Sequence, residues 1–155
     1  MAIALVLVAG GFVFVRELLG GCVGQEEHAE SIAHMDVLQR RPEGAHPAPG
    51  SEKVEYGCVD EGGGWVYAEQ RYAFEGRNRQ VVDFYRGVAR ERGLPLDEEG
   101  KSAPDTLGGL CFSEEVDGRP VLVRVRFDLF ERGRPGGYII SAEAALNGEP
   151  IRCWL

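Results

Sequence analysis

Val121-Leu-Val-Arg-Val-Arg-Phe-Asp-Leu129 places Val121, Val123, Val125, Phe127 and Leu129 on one side of an extended chain, and Arg124, Arg126 and Asp128 on the other. Side chains alternate across a strand, so the stretch predicts a half-buried β-strand with one apolar and one wet face. Just before it, Asp117-Gly118 is a two-residue hairpin signal, since both residue types tolerate the positive φ of a tight turn. The strand leading into that turn starts at Leu110 and Phe112, with Cys111 on its opposite face. On the far side, Glu131-Arg-Gly-Arg-Pro-Gly-Gly137 closes a longer hairpin loop. Tyr138, Ile140, Ala142, Ala144 and Leu146 then recur at period two, and Asn147-Gly148 turns the chain out.

Upstream of this three-stranded block, residues 97–109 form a polar loop containing Gly and Pro. Before it, Val81, Tyr85, Val88 and Ala89 recur at helical spacing, with Val82 and Phe84 widening the stripe. Asn78 is placed to cap that helix, Gly93 to supply a left-handed residue after its end, and Pro95 to prevent its continuation. Trp65 opens a strand to Phe74 whose Val66, Ala68, Tyr72 and Phe74 share one face, interrupted by Gln70. Glu69 and Arg71 lie on the other face. A short strand carries Val54, Tyr56 and Cys58, and Val59 to Gly64 is the loop between the two. The order strand, strand, helix and three strands predicts an α+β domain. Its expected form is a curved antiparallel sheet of four to five strands packed by one helix, with Glu69, Arg71, Arg124, Arg126 and Glu143 on a solvated opposite face.

Further out, Arg41 to Gly50 holds three prolines and two glycines in ten residues and reads as a spacer. Residues 25–40 carry a thin helical stripe of Ala29, Ile32, Ala33 and Val37, expected as a juxtamembrane helix with His28 and His34 exposed. Met1 to Val15 is uncharged and apolar. At about 1.5 Å per residue it spans roughly 22 Å, short of the roughly 30 Å hydrocarbon core. Extension to Val23 gives the needed length, with Arg16 and Glu17 near the border, where long side chains snorkel. The expected division is a transmembrane or signal-anchor segment at 1–24, a juxtamembrane helix and linker at 25–50, and an extracytoplasmic domain at 51–155. No Lys or Arg precedes the apolar run, which suggests a start codon further upstream. Leu19-Gly-Gly-Cys22 has the form of a lipobox and makes Cys22 a lipidation candidate.

The 155 residues carry a net charge of −8, with a pI near 4.9, which argues against a nucleic-acid partner. Cys22, Cys58, Cys111 and Cys153 lack the close paired spacing of zinc or redox sites, so no metal or cofactor is expected. Outside the cytoplasm the three cysteines of the soluble part imply one disulfide and one thiol left over, unless Cys22 joins in. Cys58 precedes the long strand and Cys111 lies early in the strand reached through the helix. That placement favours Cys58 with Cys111, the alternative being Cys58 with Cys153.

All three histidines precede residue 51, so a histidine-dependent catalytic site inside the domain is not expected. Glu69, Glu114, Glu115 and Glu143 are the carboxylates that a hydrolase of glycans would need in one groove. Arg124 and Arg126 project from one face as a candidate anion-binding pair, in competition with cross-strand pairing to Glu69 or Glu143. Trp65 and Trp154 read as packing residues rather than a ligand platform.

The leader ending in Gly-Cys22, the Gln25-Glu-Glu-His28 and Met35-Asp-Val-Leu38 segments, Gly57-Cys58, Val81-Val-Asp-Phe-Tyr-Arg86, Leu110-Cys-Phe112 and Cys153-Trp154 carry a resemblance. Together they resemble small uncharacterised actinobacterial membrane-anchored or lipoprotein-like proteins. The resemblance implies an envelope location and transfers no activity. The expected function is a non-catalytic binding module, in contact with the membrane through its N-terminal segment and with an envelope protein or cell-wall polymer. The alternative is a carboxylate-dependent hydrolase of cell-wall or surface glycans.

Overall fold

The computed structural model describes residues 22–61, 63–96, 109–127 and 136–153. The apolar leader up to Gly21, the loop at 97–108, Leu129, most of the second hairpin loop and Trp154 lie outside the described residues. In chain order the elements are α1 (Glu26–Ala33), α2 (Asp36–Gln39), β1 (His46–Pro47), β2 (Glu55–Val59), β3 (Trp65–Ala73), α3 (Asn78–Glu91), β4 (Leu110–Val116), β5 (Arg119–Phe127) and β6 (Gly137–Ala145). They build an α+β fold on a curved, open antiparallel sheet.

The sheet has six strands rather than four or five, in the order β1-β3-β6-β5-β4, with β2 also paired to β3. β3 pairs β6 along its whole length, so β1 and β2 share its other edge, β1 at Ala73 and Tyr72 and β2 from Glu69 to Trp65. They act as one edge strand interrupted by the excursion at 48–54. The extra strand comes from the proline-rich stretch read as a spacer, whose Pro47 is tolerated because an edge position asks for no second ladder bond. The hairpin signal at Asp117-Gly118 is realised with φ of 52° and 74°, the double positive φ of the favoured two-residue turn.

Even-numbered residues of β3 and β6 and odd-numbered residues of β5 face the helices. Val66, Ala68, Ile140, Ala142, Val121, Val123 and Val125 are all buried there. α3 covers this face with Val81, Val82, Tyr85, Val88 and Ala89. Its start differs by one residue from expectation. Asn78 is the first helical residue and Arg77 the cap, its backbone N–H donating to Gln80 Oε1 at 2.7 Å. The end is as read: Gly93 has φ 66°, its N–H donates to Arg90 O at 3.1 Å, and the Leu94 N–H donates to Ala89 O at 2.8 Å.

Residues 25–50 are not a separate stalk. Ala29, Ile32, Ala33, Val37 and Leu38 join α3 and the sheet in one core. One helix was expected on the sheet, and three are present among the described residues. His28, expected at the surface, is buried with its Nε2 unpartnered among the described residues, whereas His34 is exposed and its Nδ1 lies 2.8 Å from Glu30 O. Two buried tyrosines fasten this segment: Tyr72 Oη donates to Leu38 O at 2.8 Å and Tyr85 Oη to Arg40 O at 2.6 Å. Tyr138 packs between them, its ring centroid 5.2 Å from that of Tyr72 and 5.9 Å from that of Tyr85.

The cysteines pair as Cys22–Cys58 and Cys111–Cys153. Neither the expected Cys58–Cys111 bond nor its alternative Cys58–Cys153 forms. The reason is the pleat: Cys58 lies opposite Val66 on the helix-covered face, whereas Cys111 lies opposite Arg124 on the other. The sheet stands between them. Cys22 spends its sulfur on Cys58, so that sulfur cannot also carry a lipid thioether. Each bond fastens a chain end to an edge strand, Cys22 to β2 and Cys153 to β4, on opposite faces of the sheet.

Candidate functional site

The face away from the helices is built by the odd-numbered residues of β3 and β6 and the even-numbered ones of β5. Register aligns them in rows across the three strands: Arg71, Ile139 and Arg126; then Glu69, Ser141 and Arg124; then Tyr67, Glu143 and Leu122. Neighbouring strands lie about 4.8 Å apart, so Arg71 and Arg126 stand about 10 Å from each other at the backbone, with Ile139 between them. A small apolar cluster of Cys111, Leu122, Cys153 and Ile151 covers the β4 side of this face.

Diagonal contacts fix the charges. Glu69 Oε1 accepts from Arg71 Nε at 3.3 Å and Nη2 at 3.1 Å, and its Oε2 accepts from Arg126 Nη2 at 3.4 Å. Glu143 Oε2 accepts from Arg124 Nη2 at 2.9 Å, and its Oε1 from Ser141 Oγ at 3.2 Å. The cross-strand pairing weighed for Arg124 and Arg126 is therefore present for both. The two arginines differ in access: the Arg124 side chain is 14 % exposed and that of Arg126 41 %. Arg71, at 49 %, is the more accessible partner of Arg126. The face is thus less wet than alternation implied, since Glu69 and Glu143 each keep only 17 % of their side-chain exposure.

The candidate pair Arg124 and Arg126 resolves into Arg71 and Arg126 bracketing Glu69. Sequence reading placed Arg71 on the correct face and missed its role, because Arg71 and Arg126 meet only through the register of β3, β6 and β5. Two guanidiniums around one carboxylate leave a net positive charge, with donors fixed in direction. Such an arrangement suits a carboxylate or phosphate group.

The four carboxylates do not all share one face. Glu69 and Glu143 lie on the open face, each bonded to arginine. Glu114 lies on the helix-covered face in an ion pair with Arg92, where burial raises its carboxyl above the usual range although Arg92 opposes the shift. Glu115 is exposed on the open face. A separate cleft of about 400 Å³ lies between residues 50–55 and the side chains of Glu69 and Arg71. No cluster of His, Cys, Asp and Glu able to hold a metal occurs among the described residues. Trp65, opposite Ala145 at the end of the same face, is half-buried at the sheet margin.

The chain matches no family model, no curated protein and no solved structure. Two disulfides fit an oxidising, extracytoplasmic environment. Among the described residues, no helix is long and apolar enough to cross a membrane.

Proposed function

We propose that the protein is an extracytoplasmic binding module, held at the membrane by its apolar leader, whose open sheet face receives an anionic group of an envelope protein or cell-wall polymer. The observation that carries this reading is the Glu69 carboxylate holding Arg71 and Arg126 as two accessible, oriented guanidiniums on a face that the helices leave uncovered. The leader supports tethering through its composition, and the two disulfides support the compartment. The glycan-hydrolase reading draws less support: Glu69, which would have to act in the cleft beside it, has both oxygens occupied by arginine.

Binding of the full chain to polyglutamate and to inorganic polyphosphate tests the face directly. Affinity should fall with rising salt. The Arg71→Ala/Arg126→Ala double variant should lose it by roughly tenfold or more, as expected for removal of charge-assisted hydrogen bonds. An affinity unchanged in the double variant refutes the reading. Tethering has its own test: the native protein should stay with membranes through alkaline carbonate washing, and its release would refute the anchor.

A further inference from the structure

The cleft beside Arg71 is a preformed part of the sheet edge. Its outer wall, the excursion at 48–54, is held by Ala48 N–H donating to Arg71 O at 2.9 Å and Ser51 N–H donating to Ala48 O at 2.9 Å. Gln70, the polar interruption on the buried face of β3, donates its Nε2 to Ser51 O at 2.5 Å. Gly50, at φ 81°, allows the turn, and its N–H donates to Glu52 Oε1 at 3.0 Å. A volume of about 400 Å³ falls within the range of small-molecule sites.

The charges in the cleft are unequally committed. Glu69 is bonded to two arginines, and Glu52 to the backbone of its own loop. Glu55 and Lys53, both exposed, have no ion pair or hydrogen bond among the described residues. Arg71 uses Nε and Nη2 on Glu69. Glu55 lies directly opposite Glu69, so Arg71, two residues further along β3, is its diagonal neighbour. In an antiparallel pair such neighbours are about 7–8 Å apart. A free carboxylate and a guanidinium thus face one cleft across a gap that one small molecule can bridge.

We propose that this cleft binds a small zwitterion of the amino-acid class, its ammonium on Glu55 and its carboxylate on Arg71, with Lys53 at the flank. The assignment rests on Arg71 as an anion-binding residue. A dicarboxylate would set a negative group against Glu55, and a diamine a positive group against Arg71. Only a ligand carrying both charges matches both walls.

An amide-resolved NMR titration of the full chain, with its disulfides oxidised, tests this with L-alanine, acetate and ethylamine at matched ionic strength. L-Alanine should shift the amides of residues 50–55 and Arg71 saturably, with a dissociation constant on the order of 1 mM. Glu55→Gln and Lys53→Gln report on the two charged walls. Glu55→Gln should weaken L-alanine by roughly tenfold and Lys53→Gln by less. Because Glu55→Lys reverses the charge at an exposed edge, it should abolish the L-alanine response and strengthen that to acetate. No saturable shift with L-alanine, or one that acetate reproduces in the same residues, overturns the zwitterion site. Acetate acting at Arg71 and Arg126 while L-alanine leaves residues 50–55 untouched does so too, yet keeps the anion-binding face. L-Alanine binding that survives in a chain indifferent to polyanions overturns only the face.

Discussion

The hydroxyl of Tyr85 in α3 donates to the carbonyl of Arg40, just past α2, at 2.6 Å and lies 3.3 Å from the hydroxyl of Tyr138 in β6. One buried side chain thereby joins the long helix, the sheet and the segment that precedes the sheet in sequence. Tyr85→Phe keeps the ring and leaves the Arg40 carbonyl without its donor. Urea unfolding should show a loss of about 1–3 kcal/mol, the cost of a buried polar group deprived of its partner. Tyr56→Phe, at a 48 % exposed position, should leave the midpoint unchanged.

Non-reducing peptide mapping should recover Cys22 linked to Cys58 and Cys111 linked to Cys153. A peptide linking Cys58 to Cys111 would contradict the faces on which they lie. Their sequence separations are 36 and 42 residues. On the chain-entropy model each bond contributes about 4 kcal/mol, so Cys58→Ser and Cys153→Ser should each lower stability by about 2–4 kcal/mol. Cys111 is fully buried, whereas Cys22 and Cys58 are partly exposed, so mild dithiol should open the Cys22–Cys58 bond first. Alkylation under limited reduction reads the order.

Acid should loosen the docking of α1. Burial, and secondarily Arg119, hold the His28 imidazole below its ordinary value, with Asp117 opposing. The unfolded chain therefore binds a proton that the folded chain resists, and stability rises with pH across this window. The contribution is complete above the unfolded value near 6.5 and is lost as pH falls from there through the lower folded value. Urea midpoints at neutral and mildly acidic pH should differ less in His28→Gln than in the parent.

Arg92 and Glu114 join the end of α3 to β4 on the helix-covered face. Removing the cation leaves a largely buried carboxylate without a partner. Arg92→Ala should cost about 1–3 kcal/mol at neutral pH, while Glu114→Gln costs much less. Burial raises the Glu114 carboxyl even with Arg92 present. The deficit of Arg92→Ala should therefore shrink as pH falls and Glu114 takes up a proton. Denaturation at several pH values reads both effects.

The strands and α3 were legible because each carries its whole signal locally. Val123 to Phe127 alternates apolar with arginine, Asp117-Gly118 marks the turn before that strand and Gly93 the end of the helix. Residues 25–50 were not, because their order is imposed from outside. Ala29, Ile32 and Val37 make a thin stripe that becomes core only when the tyrosines of β3 and α3 reach Leu38 and Arg40. The Pro-containing edge strand exists because β3 offers it a ladder. The disulfide pairing did leave a trace in the sequence. Cys58 alternates in phase with Val54 and Tyr56, and Cys111 is out of phase with Leu110 and Phe112, so parity alone set them on opposite faces. The Arg71–Arg126 pair required the registers of two ladders, which no local pattern encodes.

The two disulfides also settle how the domain would carry a mechanical load. Tension entering at Cys22 passes through sulfur into β2 and bypasses residues 23–57, so α1, α2 and the tyrosine-fastened segment bear no pull. Tension arriving at Cys153 passes into β4 and bypasses residues 112–152, which shields the β4–β5 hairpin and all of β6. Only the chain between Cys58 and Cys111 can lengthen, so extension is limited to the span containing β3 and α3. A domain pulled between its two ends would yield by one fixed increment and keep its remaining contour locked.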